Sequence, residues 1–460
     1  MQMIAAVACA LLAMLLPASA LAQGERANQP VMVEVMREAG MWTATFSLPS
    51  DQPIWAFQRS SLTRRGGVSW RPDSWRIATP GVSLERIGDF DALVGQGGAV
   101  PRTVTVDFTP VAVDLQADYD PAVILSNGSL ALFSGHFMLF PMAETAALAA
   151  LDAPGNHPVM IRMQDDGAQV IYHGETWDSV NLQGSGYVVF GPVDLIESAH
   201  VTAITDPGLP AWLADELSSF TKAAFARYTE LLGPHRAGKP SLMASWAGPT
   251  PETISLGGSV TNGMVTMRFE GVGLVEREAG ALERSQWFIA HEAAHFWLGQ
   301  AVSYETMDEM WITEGGADLM ALRLQGDLTR NALAGGAFPA GEGLADDAER
   351  CAGFLPKGPL KDARRRQEHD AYYACGVLIA LAVEQAGTVR GEDFFTFLVR
   401  LIAANPDTVV TRDEWFAEAT AFGLSTQKAE LIESWLDHGS KDPLGEIEQL
   451  VGALVPSEAA

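Results

Sequence analysis

The chain has 460 residues, of which 48% are hydrophobic, and it carries a formal net charge of -27. A chain of this length can form two or more domains with sizeable cores. The strong negative charge argues against a nucleic-acid-binding protein and against docking on anionic lipid, because both need a basic surface.

The first 22 residues have the pattern of a signal peptide. An apolar run from Met3 to Leu16 is followed by Pro17 and by small residues that end at Ala22, which is typical of an export signal with its cleavage site. No Lys or Arg precedes the run, so an uncleaved anchor is the alternative, although the run is shorter than the roughly 20 residues of a spanning helix. We find no second candidate for a membrane span. We therefore expect an exported protein, periplasmic or secreted, with no membrane span after cleavage.

Residues 23–198 have the pattern of an all-β domain. Short alternating or apolar runs recur, and Gly, Pro, Asn and Asp separate them. The runs are Trp42–Phe46, Val104–Phe108, Ala131–Phe133, Val159–Met163 and Tyr187–Phe190. Short strands at regular intervals, with turn residues between them, indicate a sandwich-like fold.

From residue 199 to residue 460 the pattern is mixed. Apolar residues at helical spacing predict a helix over 210–232, and Ser241–Ser245 and Met264–Phe269 are predicted strands. After Leu282 nearly the whole chain has a helical period. The chain is therefore predicted to be an α+β multidomain protein, in which an all-β domain precedes a small sheet with helices.

A helix predicted over Glu283–Ala301 contains the sequence His-Glu-Ala-Ala-His at 291–295. Residues four apart share a helix face, so His291 and His295 can bind one ion while Glu292 projects beside it. This is the HExxH pattern of zinc hydrolases, in which the Glu takes a proton from metal-bound water. Two structural histidines on a helix are the alternative interpretation of this motif alone.

Glu314 is the predicted third ligand. It lies in Trp-Ile-Thr-Glu-Gly-Gly-Ala, residues 311–317, at the start of the next predicted helix. Two His and one Glu with an open position form the ligand set of catalytic zinc peptidases. The pattern contains no thiolate, which fits a hydrolytic rather than a structural zinc. One Zn²⁺ per chain is predicted, on His291, His295 and Glu314.

These two segments resemble the membrane alanyl aminopeptidase family of gluzincin zinc metallopeptidases. The family has a HExxH helix followed by Trp-Phe-Gly-Asn and then Trp-Leu-Asn-Glu-Gly-Phe-Ala; this chain has HEAAHFWLGQ at 291–300 and WITEGGA at 311–317. The 18 residues between His295 and Glu314 match the family's HExxH-x18-E spacing. The resemblance covers about residues 241–376 and implies a thermolysin-like catalytic domain. The family's large C-terminal helical domain has no counterpart here, so a short form ending in short C-terminal helices is expected.

Two further residues are assigned to the site. By resemblance, Tyr373 in Tyr-Ala-Cys-Gly stands where the family has a tyrosine that donates a hydrogen bond to the oxyanion. Tyr372 is the competing choice. Asp318 follows Glu314 by one helical turn and is predicted to accept the second N–H of a ligating His; a solvated Asp on the helix face is the alternative.

The predicted edge strand departs from the family pattern. The family's exopeptidases carry Gly-x-Met-Glu-Asn there, and the Glu binds the free amino terminus of the substrate. Here Gly258, Thr261 and Asn262 occupy the corresponding substrate-binding positions. The hydroxyl of Thr261 cannot neutralise an ammonium group, and Glu270 or Glu305 is the alternative counter-charge. An extended peptide can still pair with the main chain of an edge strand.

Three cysteines occur, and Cys9 lies in the signal peptide. Cys351 and Cys375 remain. They could form one disulfide in an oxidising compartment, and two buried free thiols are the alternative.

Together these features predict a zinc-dependent metallopeptidase, aminopeptidase-like, that hydrolyses peptide substrates with Glu292 as the general base. An endopeptidase with altered amine recognition is one alternative. A zinc-binding, non-catalytic envelope protein is another, although such a protein has no need of a general base. The oligomeric state does not follow from the sequence.

Overall fold

The computed structural model describes residues 29–454 except 117, 236–238, 252–253, 262, 333–339 and 407–408, and it leaves out the side chains of 329–332 and 340–342. The predicted signal peptide, residues 1–22, lies outside the described residues. The chain divides into two compact units. The first consists of the chain up to Ala122 with Ala131–Val170 and Thr176–Phe190, and the second consists of Val123–Leu130, Ile171–Glu175 and the chain from Gly191 onward. The predicted boundary between residues 198 and 199 stays a prediction.

Fifteen strands and two short α-helices lie before Gly191 in the described part of the chain. The strands are β1 (Val31–Glu38), β2 (Met41–Ser47), β3 (Ile54–Phe57), β4 (Trp75–Ile77), β5 (Val82–Ile87), β6 (Phe90–Gly95), β7 (Thr103–Phe108), β8 (Ala122–Ile124), β9 (Leu130–Phe133), β10 (Leu139–Met142), β11 (Val159–Asp165), β12 (Val170–Tyr172), β13 (Glu175–Trp177), β14 (Ser179–Leu182) and β15 (Tyr187–Phe190). The helices are α1 (Arg71–Ser74) and α2 (Thr145–Ala149). The five strands predicted from the sequence are confirmed as β2, β7, β9, β11 and β15.

Two sheets lie wholly in the first unit, with the strand orders β14-β11-β1-β2-β7-β4 and β10-β3-β6-β5. Strand β1 shows why these segments pair: Val31, Val33 and Val35 are buried while the residues between them are exposed, as a strand with one face on a core requires. The two sheets share that core, because Phe46 of β2 and Phe57 of β3 pack edge to face with ring centroids 6.2 Å apart. The prediction that this region is rich in strands is confirmed.

The second unit carries the remaining strands and the long helices. Its strands are β16 (Leu195–Glu197), β17 (Thr202–Thr205), β18 (Ser241–Trp246), β19 (Ser255–Thr261), β20 (Met264–Glu270), β21 (Ser303–Tyr304) and β22 (Val409–Val410). Its helices are α3 (Ala211–Leu232), α4 (Ala279–Ala294), α5 (Trp311–Ala332), α6 (Ala340–Phe354), α7 (Asp370–Gly387), α8 (Phe394–Ala404), α9 (Arg412–Ala421), α10 (Thr426–His438) and α11 (Pro443–Val451).

Five strands of the second unit form a mixed sheet of order β16-β17-β18-β20-β19. Strands β17, β18 and β20 run parallel, and β19 pairs antiparallel with β20 at the edge, with Gly258 opposite Met267. Helix α4 packs against this end of the sheet, where Phe288 of α4 lies edge to face with Phe269 of β20 at 5.6 Å. The HExxH helix also contacts the predicted edge strand β19. The α+β fold class predicted from the sequence is confirmed.

Helix α7 is the most apolar long helix of the second unit. Most of its residues, including Val377, Leu378 and Ile379, are fully buried. In the described residues, the segment Asp370–Arg390 is long and apolar enough to cross a membrane by length and composition, and 67% of its apolar window is buried inside the protein. A buried core helix has the same composition as a membrane span, so the expectation that no span is present after signal cleavage stays a prediction.

Candidate metal centre

Helix α4 presents both histidines on one face. It ends at Ala294, and His295 follows with helical dihedrals, φ -64° and ψ -13°, so the spacing of four residues still places the two imidazoles on the same face. Their Nε2 atoms lie 3.1 Å apart. The predicted extension of this helix to Ala301 was wrong at its C-terminal end, because the chain turns at Gly299, where φ is 135° and a side chain would be strained.

That turn supplies a partner for His295. The N–H of Gly299 donates to the carbonyl of Val302 at 2.6 Å, and the turn aims the carbonyl of Leu298 at the imidazole. The Nδ1–H of His295 donates to this oxygen at 3.0 Å. The contact fixes the tautomer of His295 and leaves the lone pair on Nε2.

Helix α5 brings the remaining predicted residues to the same place. Asp318 lies one turn after Glu314, and its Oδ1 accepts a hydrogen bond from Nδ1 of His291 at 2.8 Å. The imidazole of His291 is thereby oriented with the lone pair of Nε2 toward Glu314. Asp318 is only 5% exposed, so the alternative of a solvated residue on the helix face is wrong.

Three ligand atoms converge at this point. Oε2 of Glu314 lies 3.5 Å from Nε2 of His291 and 3.5 Å from Nε2 of His295. This oxygen is buried and has no hydrogen-bond partner among the described residues. Two nitrogen lone pairs and a carboxylate oxygen that face one another repel unless a cation lies between them. The donor set therefore fits Zn²⁺, with both outer imidazole nitrogens already occupied by protein acceptors.

The charges of the site agree with this arrangement. Against burial, the neighbouring carboxylates raise the pKa of both imidazoles, so that in the protein without a metal ion the two rings hold protons. Burial acts to raise the pKa of Glu314, but these cationic rings outweigh it and hold that pKa below its ordinary value. A zinc ion would take the place of the protons between the three groups. Burial raises the pKa of Glu292 against the opposing influence of the same imidazoles. A carboxylate whose pKa is raised in this way is a better proton acceptor than a solvated one.

Tyr373 and Tyr372 have different surroundings. The ring of Tyr373 stacks on His291, with centroids 5.7 Å apart. Burial, followed by the charges of Glu314 and Glu292, raises the pKa of Tyr373 well above that of a free phenol. The hydroxyl of Tyr372 instead donates to the carbonyl of Lys361 and accepts from the N–H of Arg364, both at 3.2 Å. Of the two tyrosines named from the sequence, Tyr373 is therefore the one beside His291 and Glu314.

A close crossing of two helices explains how Tyr373 approaches Glu314. A Cβ added to Gly376 of α7 would lie 2.7 Å from the carbonyl oxygen of Trp311 and 2.9 Å from the Cα of Gly315 in α5. Only glycine permits this distance between backbones. The glycine of the Tyr-Ala-Cys-Gly segment therefore sets the separation of the two helices that carry Glu314 and Tyr373.

Cys351 of α6 and Cys375 of α7 form a disulfide, with their Cα atoms 4.9 Å apart. Both residues are fully buried. The bond attaches α6 to the helix that carries Tyr373. Of the two states left open by the sequence, the structure has the paired one.

The predicted substrate-binding residues differ in their surroundings. Gly258 of β19 lies directly against Glu292, since a Cβ added to Gly258 would be 2.0 Å from Oε1 of that carboxylate. Thr261 is only 6% exposed, and its hydroxyl donates to the carbonyl of Met264 at 3.2 Å. Asn262 lies outside the described residues. The substrate-binding roles stay predictions.

Two side chains near the site were not identified from the sequence. The half-buried indole of Trp287 lies one turn before His291, with ring centroids 5.4 Å apart. The side chain of Gln300 donates to the carbonyl of Thr261 at 2.9 Å and accepts from the N–H of Gly263 at 3.2 Å, so it holds the hairpin between β19 and β20. The helical spacing from Trp287 to His291 was the available signal for the first; no local pattern indicates the second.

No family model and no curated protein matches this chain in sequence, but solved structures do. An aminopeptidase N family protein from Idiomarina loihiensis is similar over 91% of this chain and 78% of its own, with a TM-score of 0.62 and 10% identity. An M1 zinc metallopeptidase from Deinococcus radiodurans covers 94% of this chain and 95% of its own, with a TM-score of 0.49 and 16% identity. A mutant of such a metallopeptidase, from the same organism and bound to a Tyr-Ser-Ala substrate, covers 90% and 94% with the same TM-score and identity. The first likeness shows that this chain has the fold of an aminopeptidase N family protein.

Proposed function

We propose that the protein is a zinc-dependent metallopeptidase, aminopeptidase-like. The observation that carries the proposal is the convergence of His291, His295 and Glu314, whose ligand atoms all lie within 4.8 Å of one another. Glu292 lies next to His291 on the same helix and is not needed to complete the ligand set. A buried carboxylate beside three ligands is what hydrolysis requires and what a structural metal site lacks.

A zinc ion held by these residues would supply a Lewis acid that polarises a peptide carbonyl and acidifies a water molecule. In the proposed reaction, Glu292 accepts the proton of the attacking water and delivers it to the leaving amine. One carboxylate can make both transfers, because the acid formed by the first carries the proton that the second delivers. Asp318 keeps the imidazole of His291 in the tautomer that leaves Nε2 free.

Tyr373 is the proposed donor to the oxygen on which negative charge develops. Its hydroxyl belongs to a ring that stacks on His291, and its raised pKa keeps the phenol protonated. A protonated phenol donates a hydrogen bond without adding charge to the site. The two carboxylates that raise this pKa therefore also preserve the donor.

The direct test uses the Glu292→Gln variant of the mature chain. We expect it to retain one zinc per chain, because the three ligands are unchanged, and to lose peptide hydrolysis by about 10²–10⁴-fold, the usual contribution of a general base. Metal analysis and turnover are measured on the same sample. Turnover equal to that of the unaltered chain would contradict the mechanism.

An endopeptidase is the second candidate, and one observation favours it. The hydroxyl of Thr261, at the position expected to anchor the substrate amine, is already bonded to Met264. Peptides with free and with acetylated amino termini, compared side by side, distinguish the two activities. Cleavage of the acetylated peptide alone would exclude an aminopeptidase.

The proposal also includes export to the periplasm or the exterior, where a disulfide between Cys351 and Cys375 is stable.

A zinc-binding protein without activity is the third possible outcome of the peptide assay. It would retain zinc and hydrolyse neither the free nor the acetylated peptide. The same assay therefore separates all three functions.

A further inference from the structure

The segment between His295 and Glu314 pairs with a part of the chain that is distant in sequence. Strand β21, Ser303–Tyr304, pairs in parallel with β22, Val409–Val410. The N–H of Glu305 then donates to the carbonyl of Val410 at 3.2 Å. The spacer between His295 and Glu314 is therefore tied to residues that follow α8, and its conformation is not decided by local sequence alone.

An ion pair also joins the same two parts of the chain. Arg412, the first residue of α9, donates from Nε and Nη2 to Oε1 of Glu309 at 2.9 and 2.6 Å. Glu309 is only 6% exposed. A buried carboxylate depends strongly on such a partner, because its lost hydration must be replaced.

Glu309 also contacts α5, the helix that carries Glu314. Its other oxygen, Oε2, accepts a hydrogen bond from the indole of Trp311 at 2.6 Å. Trp311 is the first residue of α5, and its ring packs edge to face on Trp415 of α9 at 4.8 Å. Glu314 follows Trp311 within the first turn, where its N–H donates to the carbonyl of Met310 at 2.9 Å.

Arg412 also contacts a second acid. Its Nη1 donates to Oδ1 of Asp437 in α10 at 3.0 Å, and the same oxygen accepts from Nζ of Lys361 at 2.7 Å. The carbonyl of Lys361 accepts from Tyr372, the neighbour of Tyr373. The C-terminal helices thus contact both the turn before α5 and the turn before α7.

We propose that Arg412 is a positioning residue of the metal centre, which fixes the start of α5, and hence Glu314, through Glu309 and Trp311. The inference rests on the proposed function only in taking Glu314 as a metal ligand. It assigns α9 and α10 a role in metal affinity. A pair that served stability alone would leave the metal affinity of the folded chain unchanged.

The test measures zinc affinity by competition with a chelator, together with thermal unfolding of the metal-free chain. For Arg412→Met we expect the zinc dissociation constant to rise about tenfold or more, the lower end of the effect seen for groups that orient ligands. Arg412→Lys, which keeps the charge, should recover part of the affinity. Glu309→Gln should also raise the zinc dissociation constant. In the double variant with Arg412→Met it should raise that constant by less than a further twofold, because the two residues act as one unit.

Arg400→Met is the matched control. Arg400 of α8 also forms an ion pair, with Glu418 at 2.7 Å, and lies over the ring of Phe422, but no described contact joins it to Glu309 or Trp311. We expect this variant to lower the unfolding temperature while the zinc affinity stays within twofold of that of the unaltered chain.

The outcomes separate the inference from the proposed function. Equal zinc affinity in Arg412→Met and the unaltered chain, or an equal loss in Arg400→Met, would overturn the inference. If Arg412→Met does not fold, Arg412→Lys and Glu309→Gln give the same comparison. Failure of the unaltered chain to bind zinc would overturn both proposals, whereas zinc binding without hydrolysis would overturn the function alone.

Discussion

The Cα of Gly258 in β19 lies so close to the carboxyl group of Glu292 in α4 that an added Cβ would be 2.0 Å from Oε1 and 2.2 Å from Cδ. The carboxyl group therefore occupies the space that a side chain at residue 258 would fill. The atoms that would have to move belong to the end of a flexible side chain, not to the backbone. Gly258 thus controls the position of the proposed base more than the stability of the fold.

We expect Gly258→Ala to displace the carboxylate of Glu292 and to lower kcat/KM by about a hundredfold, the lower end of the range for a lost general base. Zinc content and unfolding temperature should change little, because the ligands and the backbone stay in place. Metal analysis, thermal unfolding and peptide hydrolysis on one preparation give all three quantities.

The neighbouring glycine provides the control for this variant. Gly257 is exposed, and a Cβ added there meets no atom within 4 Å. Gly257→Ala should therefore keep full activity. Equal losses in the two variants would show that the strand, and not the space for Glu292, is what the substitution disturbs.

A second prediction concerns the bond between Asp318 and His291. Asp318→Asn keeps the size of the side chain and removes the charge that supports the imidazole through Nδ1. We expect zinc affinity to fall about 10–100-fold, as is usual when the partner of a ligating histidine is altered. Competition with a chelator at constant pH measures the change.

Asp327→Asn, on the same helix α5, is the comparison. Asp327 pairs with Arg227 at 3.0 Å, and its side chain is 38% exposed, so its loss should alter stability by less than about 1 kcal/mol and zinc affinity not at all. An unchanged zinc affinity in Asp318→Asn would contradict the assigned role of Asp318.

A third prediction follows from Asp347 of α6. Burial, followed by the charge of Asp318, raises its pKa from 3.8 to about 7, against the pull of Arg350. At a pH between these two pKa values, the carboxyl group of Asp347 is ionised in the unfolded chain and protonated in the folded chain. Stability therefore falls as the pH rises from about 4 to 7, by about 1.4 kcal/mol per pH unit at most, and stays reduced above.

Asp347→Asn should remove this loss. We expect the metal-free variant to unfold several degrees higher than the unaltered chain at pH 7.5, for a gain on the order of 2 kcal/mol, and at nearly the same temperature at pH 4. Glu349→Gln, at an exposed position of the same helix, should show no such pH-dependent difference. A constant difference between the two pH values would contradict the raised pKa.

The sequence was sufficient where the signal is periodic and local. The alternation of β2 and the helical spacing of α3 and α4 report which face is buried, because burial has the period of the element. The convergence of His291 and His295 follows from the same period. Glu314 was found because a second motif lies at a fixed distance along the chain.

The contacts between distant residues were not predictable in this way. Glu309 and Arg412 are separated by 103 positions, and Gly258 meets Glu292 because an edge strand happens to cross one helix. The end of α4 at Ala294 was missed because a helix period continues through residues that in fact turn at Gly299. Each of these depends on tertiary packing, which leaves no periodic trace in one sequence.

The last prediction concerns the crossing of α5 and α7 at Gly376. A Cβ at this residue would lie 2.7 Å from the carbonyl oxygen of Trp311 and 2.9 Å from the Cα of Gly315, and backbone atoms cannot yield as a side chain can. Gly376→Ala should therefore separate the two helices and cost about 1–3 kcal/mol of stability, as overpacking does. Since the helices carry Glu314 and Tyr373, kcat/KM should fall by at least tenfold even at temperatures where the chain is folded.

Gly353→Ala distinguishes this crossing from a general effect of alanine in helices. Gly353 is exposed on α6, and a Cβ there meets no atom within 4 Å, so alanine should stabilise the helix by roughly 0.5–1 kcal/mol and leave activity unchanged. Thermal unfolding and kcat/KM are compared for the two variants. The same Cβ is added in both variants, so only its surroundings differ. If Gly376→Ala keeps its stability and activity, the spacing of α5 and α7 does not position Tyr373 against Glu314.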